Sequence, residues 1–127
     1  MKFDVFRELL AEMVDEIPPE FLSGLQAVLA LEKEHPEEEF DDVWRMGEYI
    51  DVGPDHFLGP AAFGRQIVLY HGSFARIAAG DAGFDWEAEM WETLTHELRH
   101  HVESLAGDAS LIGQDELDAR EFRRRDE

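Results

Sequence analysis

The stretch DWEAEMWETLTHELRHHVESLAG, Asp85 to Gly107, decides how this chain is read. At about 100° per residue, Trp91, Leu94, Leu98, Val102 and Leu105 fall on one stripe of a helix. His96, His100, Thr93, Glu89 and Glu103 fall on roughly the opposite side, and Glu97 lies beside His100, toward the gap between the faces. Asp85 is placed to cap this helix, Glu87 complements the dipole of its first turn, and Ala106-Gly107 is placed to end it. Two histidines one turn apart on a shared side can grip one cation. A glutamate directly after the first of them is what a metal-assisted hydrolase needs to activate water, so the pattern is H-E-x-x-H.

Zinc takes four tetrahedral positions, and catalytic sites give three to the protein and one to water. His96 and His100 would supply two of them through neutral imidazoles. Glu97 is the candidate general base, taking a proton from the bound water and delivering it to the leaving group. The third ligand stays open between Glu103, Asp108, Asp115 and Glu116. A straight helix rarely places three successive turns around one ion, so Glu103 is better suited to orienting an imidazole. Asp108 follows the expected helix end and would need a sharp turn. Asp115 has the loop length to approach from outside the helix, and equally the position of an N-cap for the next one. His101, at the edge of the apolar stripe, reads as a packed or hydrogen-bonded histidine. His35, His56 and His71 are scattered and unassigned, and Trp86 and Trp91 read as packing aromatics.

Outward from this stretch, Phe3, Phe6, Leu9, Leu10, Met13, Val14 and Ile17 keep helical spacing, with Asp4 the expected N-cap and Pro18-Pro19 the stop. Glu20 to Leu25 reads as a short second helix closing at Gly24. The apolar run from Ala27 to Glu34 is bounded by Gly24 and Pro36 and reads as a buried strand. Glu37 to Asp42 is an acidic loop or helix start, and Val43 to Ile50 fits helix or strand. Glycines and prolines from Gly53 to Gly64 mark a turn-rich connection. Arg65 to His71 is the clearest strand, broken by Gly72, with Ser73 to Ala79 open between strand and helix and Ala79 to Gly83 a loop. Gln114 to Arg125 reads as a C-terminal helix with few apolar contacts and a basic end.

Composition narrows the functional classes. An apolar content of 44% over 127 residues is enough for one folded domain spanning 1–127. Eleven basic against thirty acidic residues leave a formal charge of -19, which repels phosphates and argues against nucleic acid or an anionic membrane as partner. The chain has no cysteine, so any transition metal must be held by imidazole and carboxylate. No run approaches the length of a membrane span and Met1 to Asp4 opens no leader, so a soluble cytoplasmic protein is expected.

The order of these features resembles the small bacterial zincin-like metallopeptidases, the minimal zincins. The likeness is carried by Ile67-Val68-Leu69-Tyr70, a short loop, and a long helix holding Thr95-His96-Glu97-Leu98-Arg99-His100-His101. The N-terminal helix ending at Pro18-Pro19 and the Ala27 to Glu32 strand are similar too. The resemblance implies an α+β fold: a small mixed sheet packed beside the H-E-x-x-H active-site helix, with N-terminal and C-terminal helices. It implies a zinc-dependent peptidase with His96 and His100 as ligands and Glu97 as base. It also implies that the strand Ile67 to Tyr70 is the sheet edge beside the site, where an extended peptide or protein substrate adds as a strand. Short members read H-E-x-x-H-x-x-G-x-x-D, with the aspartate as third ligand and an acidic residue often following it. Here Glu103 holds the glycine's place and a stretch through Ile112 is inserted. Matching the acidic pair puts Asp115-Glu116 at the ligand position, with Asp115 as the metal ligand. The alternative is a catalytically inactive zincin-like protein that binds metal or peptide. A third class is a structural metal domain whose fourth ligand replaces the water. A chain this short leaves little room for a second wall to the cleft, so the expectation is either a shallow pocket or one completed by a partner or by a second copy in a homo-oligomer.

Overall fold

The structure, a computed structural model, describes residues 1–40, 43–52 and 64–109, with the backbone alone for Val52, Asp108 and Ala109. Helix α1, Phe3–Glu16, buries Phe6, Leu10 and Met13, at the four- and three-residue steps that keep one face inward. Its N-cap is Lys2 and no side chain caps that end. Asp4, expected as the cap, sits instead in the first turn, where its carboxylate complements the dipole and lies 3.9 Å from Arg7. Pro18 holds Ile17 extended, at φ -81° and ψ 132°, and so ends the helix. Helix α2, Pro19–Leu22, is a single turn begun on a proline. It stops short of the expected Leu25 because Gly24, at φ +83°, turns the chain first.

Three strands form a mixed sheet in the order β1-β3-β2, with β1 at Leu25–Leu31, β2 at Gly47–Val52 and β3 at Gly64–Tyr70. β1 runs parallel to β3, and β2 runs antiparallel to it. The ambiguous Val43 to Ile50 stretch is therefore strand from Gly47 onward, with Trp44 in an isolated bridge to Pro36. β3 is central, which corrects the expectation that Ile67 to Tyr70 forms the edge. Ile67, Val68, Leu69 and Tyr70 are all buried, and a run covered on both faces is what the centre of a sheet requires. The edge strand packed against the histidine-bearing helix is β2.

The strand ends just before the expected break at Gly72, and Ser73 to Ala79, open between strand and helix, is helical. β3 ends at Tyr70, and His71 opens helix α3, His71–Ala79, with Gly72 in its first turn. A Cβ at Gly72 would stand 2.6 Å from the Glu34 nitrogen and the Lys33 carbonyl carbon, so the glycine is there to let the chain leaving β1 pass close by.

Helix α4, Trp86–Ala109, begins as expected: Asp85 Oδ1 accepts the Ala88 N–H at 3.1 Å. It continues through Gly107, against the expectation that this glycine ends it. A Cβ there would meet nothing within 4 Å, and an exposed glycine inside a helix costs only about 1 kcal/mol. Asp108 therefore lies within the helix rather than past it.

Met90, Leu94, Leu98 and Val102 of α4 close over Ile67 and Leu69 of β3 and Phe6, Leu10 and Met13 of α1. The aromatics behave as expected of packing residues: Trp86 stacks on Phe74 and on His71, and Trp91 is half-buried against the same core. No helix among the described residues is long and apolar enough to cross a membrane. The expected C-terminal helix and basic end, His56, Asp115 and Glu116 lie outside the described residues.

Candidate metal centre and cleft

The apolar stripe of α4 fixes which way its other face points. With Leu94 and Leu98 fully buried, His96 and His100 emerge exposed on the far side. Their Nε2 atoms stand 3.3 Å apart, with the rings nearly perpendicular at 87°. Two nitrogens bound at about 2.0–2.1 Å to one tetrahedral ion are separated by about 3.3–3.4 Å. The two imidazoles are thus already spaced for a shared zinc.

Glu97, between them in sequence, is only half-buried and faces β2. Burial pushes its carboxyl above the ordinary value. The neighbouring His96 and His100 oppose that shift, Glu48 adds to it, and Arg45 opposes it. Close approach of β2 depends on Gly47, where a Cβ would stand 2.6 Å from Thr93 Cγ2 and 3.5 Å from Glu97 Cγ.

Between this strand and the helix lies a cleft of about 470 Å³, lined by Arg45, Gly47, Glu48, Tyr49, Glu97, His100 and Ser104. Arg45 is held there by two bonds to Glu37, at 2.6 and 3.2 Å, and one to Glu48 at 3.1 Å. The Arg45 hydrogen bond draws the Glu37 carboxyl below its ordinary range. Tyr70 donates its hydroxyl to Glu48 at 2.8 Å, and burial with that carboxylate alongside pushes the phenol far up. Arg45, Gly47, Glu48, Tyr49 and Ser104 are not legible as site residues in the sequence. Their place depends on strand pairing, and only the strand-like run through Val43 to Ile50 hints at it.

His101 is fully buried, as expected of a packed histidine. Its Nε2 lies 2.8 Å from the Ser23 carbonyl, which only accepts, so the ring proton sits on Nε2. Nδ1 is then the acceptor for the Tyr49 hydroxyl at 3.0 Å. Burial holds this ring below the ordinary histidine value, which keeps that neutral tautomer. One imidazole thereby ties α4 to β2 and to the turn before β1.

Glu103 is exposed on the histidine side, and among the described residues no three His, Asp or Glu side chains are grouped to hold an ion. Two of the scattered histidines have local partners. His35 packs on Tyr70, with its Nε2 4.0 Å from Glu48. His71 donates its Nε2 proton to the Met1 carbonyl, 2.8 Å away, since a carbonyl only accepts.

No curated protein matches the chain. Among solved structures, a conserved hypothetical protein from Thermo thermophilus superposes with a TM-score of 0.74 at 48% identity, over 84% of this chain and 99% of that one. A sequence model of zincin-like metallopeptidases matches residues 25–121, which includes all three strands and the whole of α4. Over that span the chain belongs to the zincin-like metallopeptidase family.

Proposed function

We propose that this chain is a zinc-dependent peptidase in which His96, His100 and Asp115 hold the metal and Glu97 is the general base. The observation that carries the reading is the pair of exposed imidazoles with Nε2 atoms 3.3 Å apart, next to a half-buried carboxylate at the mouth of a cleft. Bound zinc would polarise the scissile carbonyl and bring the pKa of its water to about 7. Glu97 accepts a proton from the attacking water and returns it to the departing amine. Its burial suits that task, because raising the carboxyl above its ordinary value makes the carboxylate a stronger base.

The substrate is a peptide or protein segment laid along β2. Tyr70 donates its N–H to the Met46 carbonyl, so Met46, Glu48 and Ile50 are the residues of this strand that bond to β3. By the antiparallel alternation, the backbone groups of Gly47, Tyr49 and Asp51 point the other way, toward the cleft side. An extended peptide pairing with them would pass Glu97 at Gly47.

A metal-binding protein without turnover is the second reading. It is favoured by one observation, that Glu103 stands where short members of the family carry a glycine. Purified metal-free protein given one equivalent of zinc and a mixed peptide library separates the two. Cleavage that disappears in Glu97→Ala supports the peptidase. Zinc binding with no cleavage supports the second reading.

A further inference from the structure

The edge that β2 offers to a substrate is closed at one end. The chain leaving β1 crosses beside Gly72 and returns along the outer side of the segment that leads into β2. There Arg45 donates its N–H to the His35 carbonyl at 2.7 Å, and Glu37 donates to the Val43 carbonyl at 2.9 Å, around a bridge between Pro36 and Trp44. Arg45 has the same parity as Gly47, Tyr49 and Asp51, so its outward N–H is the next along that edge, and His35 already occupies it. The Arg45 guanidinium then clamps Glu37 through both carboxylate oxygens, a paired geometry that fixes the crossing segment in place. A strand laid along the edge would therefore meet protein backbone two positions beyond Gly47. Gly47 is also where the strand stands against Glu97.

Resting on the peptidase reading, we infer that residues 35–37 wall off one end of the substrate groove, so that the site removes residues from a peptide terminus rather than cutting within a chain. A substrate strand paired along this edge has about two positions beyond Gly47 before it meets the backbone at His35, so continued pairing in that direction is blocked. In the opposite direction, toward Asp51, the edge carries no paired strand among the described residues. The wall is a specificity element: it touches neither the proposed ligands nor the base, and it acts by setting how far a substrate extends.

The test uses the zinc-loaded full chain and one peptide sequence in four forms: free at both ends, N-acetylated, C-amidated and head-to-tail cyclised. Products are sized by mass spectrometry. Release of one or two residues from an end of the linear forms, with the cyclic form intact, is the expected result. Cleavage of the cyclic form as fast as the linear ones overturns the wall and leaves the peptidase standing. No cleavage of any form overturns the wall and the peptidase reading together. Glu37→Ala, which removes one side of the clamp, is expected to raise cleavage of the cyclic form by about tenfold, the loss of a charge-assisted bond read as a rate. A folded Glu37→Ala protein that still spares the cyclic form overturns the assignment of the wall to this segment.

Discussion

At Gly47 the whole width of the cleft depends on one missing methyl group. Thr93 is β-branched and stiff on its helix, so a Cβ placed 2.6 Å from its Cγ2 must push strand and helix apart. Gly47→Ala is expected to destabilise the protein by about 1–3 kcal/mol in a urea titration, and Thr93→Ala in the same chain to restore most of it. A Gly47→Ala protein as stable as the parent would contradict the contact. At the neighbouring base, Glu97→Gln keeps the shape and removes the proton acceptor. It should lower kcat by about 10²–10⁴-fold with zinc affinity nearly unchanged, measured by turnover and chelator competition. For the third ligand, Asp115→Ala should weaken zinc binding while Asp108→Ala should not; the opposite pattern would remove Asp115 from the site. His96, Glu97 and His100 are legible in the sequence because all three lie within about one helical turn and share one local periodicity. Gly47 is not, because its meaning lies in Thr93 and Glu97, far along the chain.

Among the elements, α4 is legible on its core face and at its Asp85 cap, both set by nearby residues. Its end is not, because an exposed glycine is tolerated inside a helix when no packing opposes it. The order of the strands is likewise hidden. A continuous apolar run such as Ile67 to Tyr70 fits an edge beside a helix or a sheet centre, and only the partners β1 and β2 decide. The crossing segment 35–37 shows in the sequence only as a boundary at Pro36 and as acidic residues. Its attachment has a pH signature. The Glu37 carboxyl is held below its ordinary 4.5 by Arg45, so the attachment is intact above that value and is lost as pH falls through the lowered one. Hydrogen exchange at the Glu37 and Arg45 amides should therefore quicken below about pH 4.5, after correction for intrinsic rates, and Arg45→Ala should remove the step. Exchange that follows the intrinsic rate throughout would contradict the clamp. Tyr49→Phe tests the tie between β2 and α4. It strips the buried His101 Nδ1 of its donor and should cost about 1–3 kcal/mol.

For the molecule as a whole, charge and motif point to one kind of use. A net charge of -19 on 127 residues leaves the two exposed imidazoles in a field that draws cations. The family, the mixed sheet and the histidine-bearing helix place the chain among zincin-like metallopeptidases, and the cleft beside β2 is where the proposed chemistry would occur. All of it depends on whether His96 and His100 hold one metal ion. Zinc affinity by chelator competition, for the parent chain beside His96→Ala/His100→Ala, measures that directly. The account predicts one tightly held zinc per parent chain and a loss of at least about a hundredfold in the variant. A folded variant that binds zinc as tightly as the parent would contradict it.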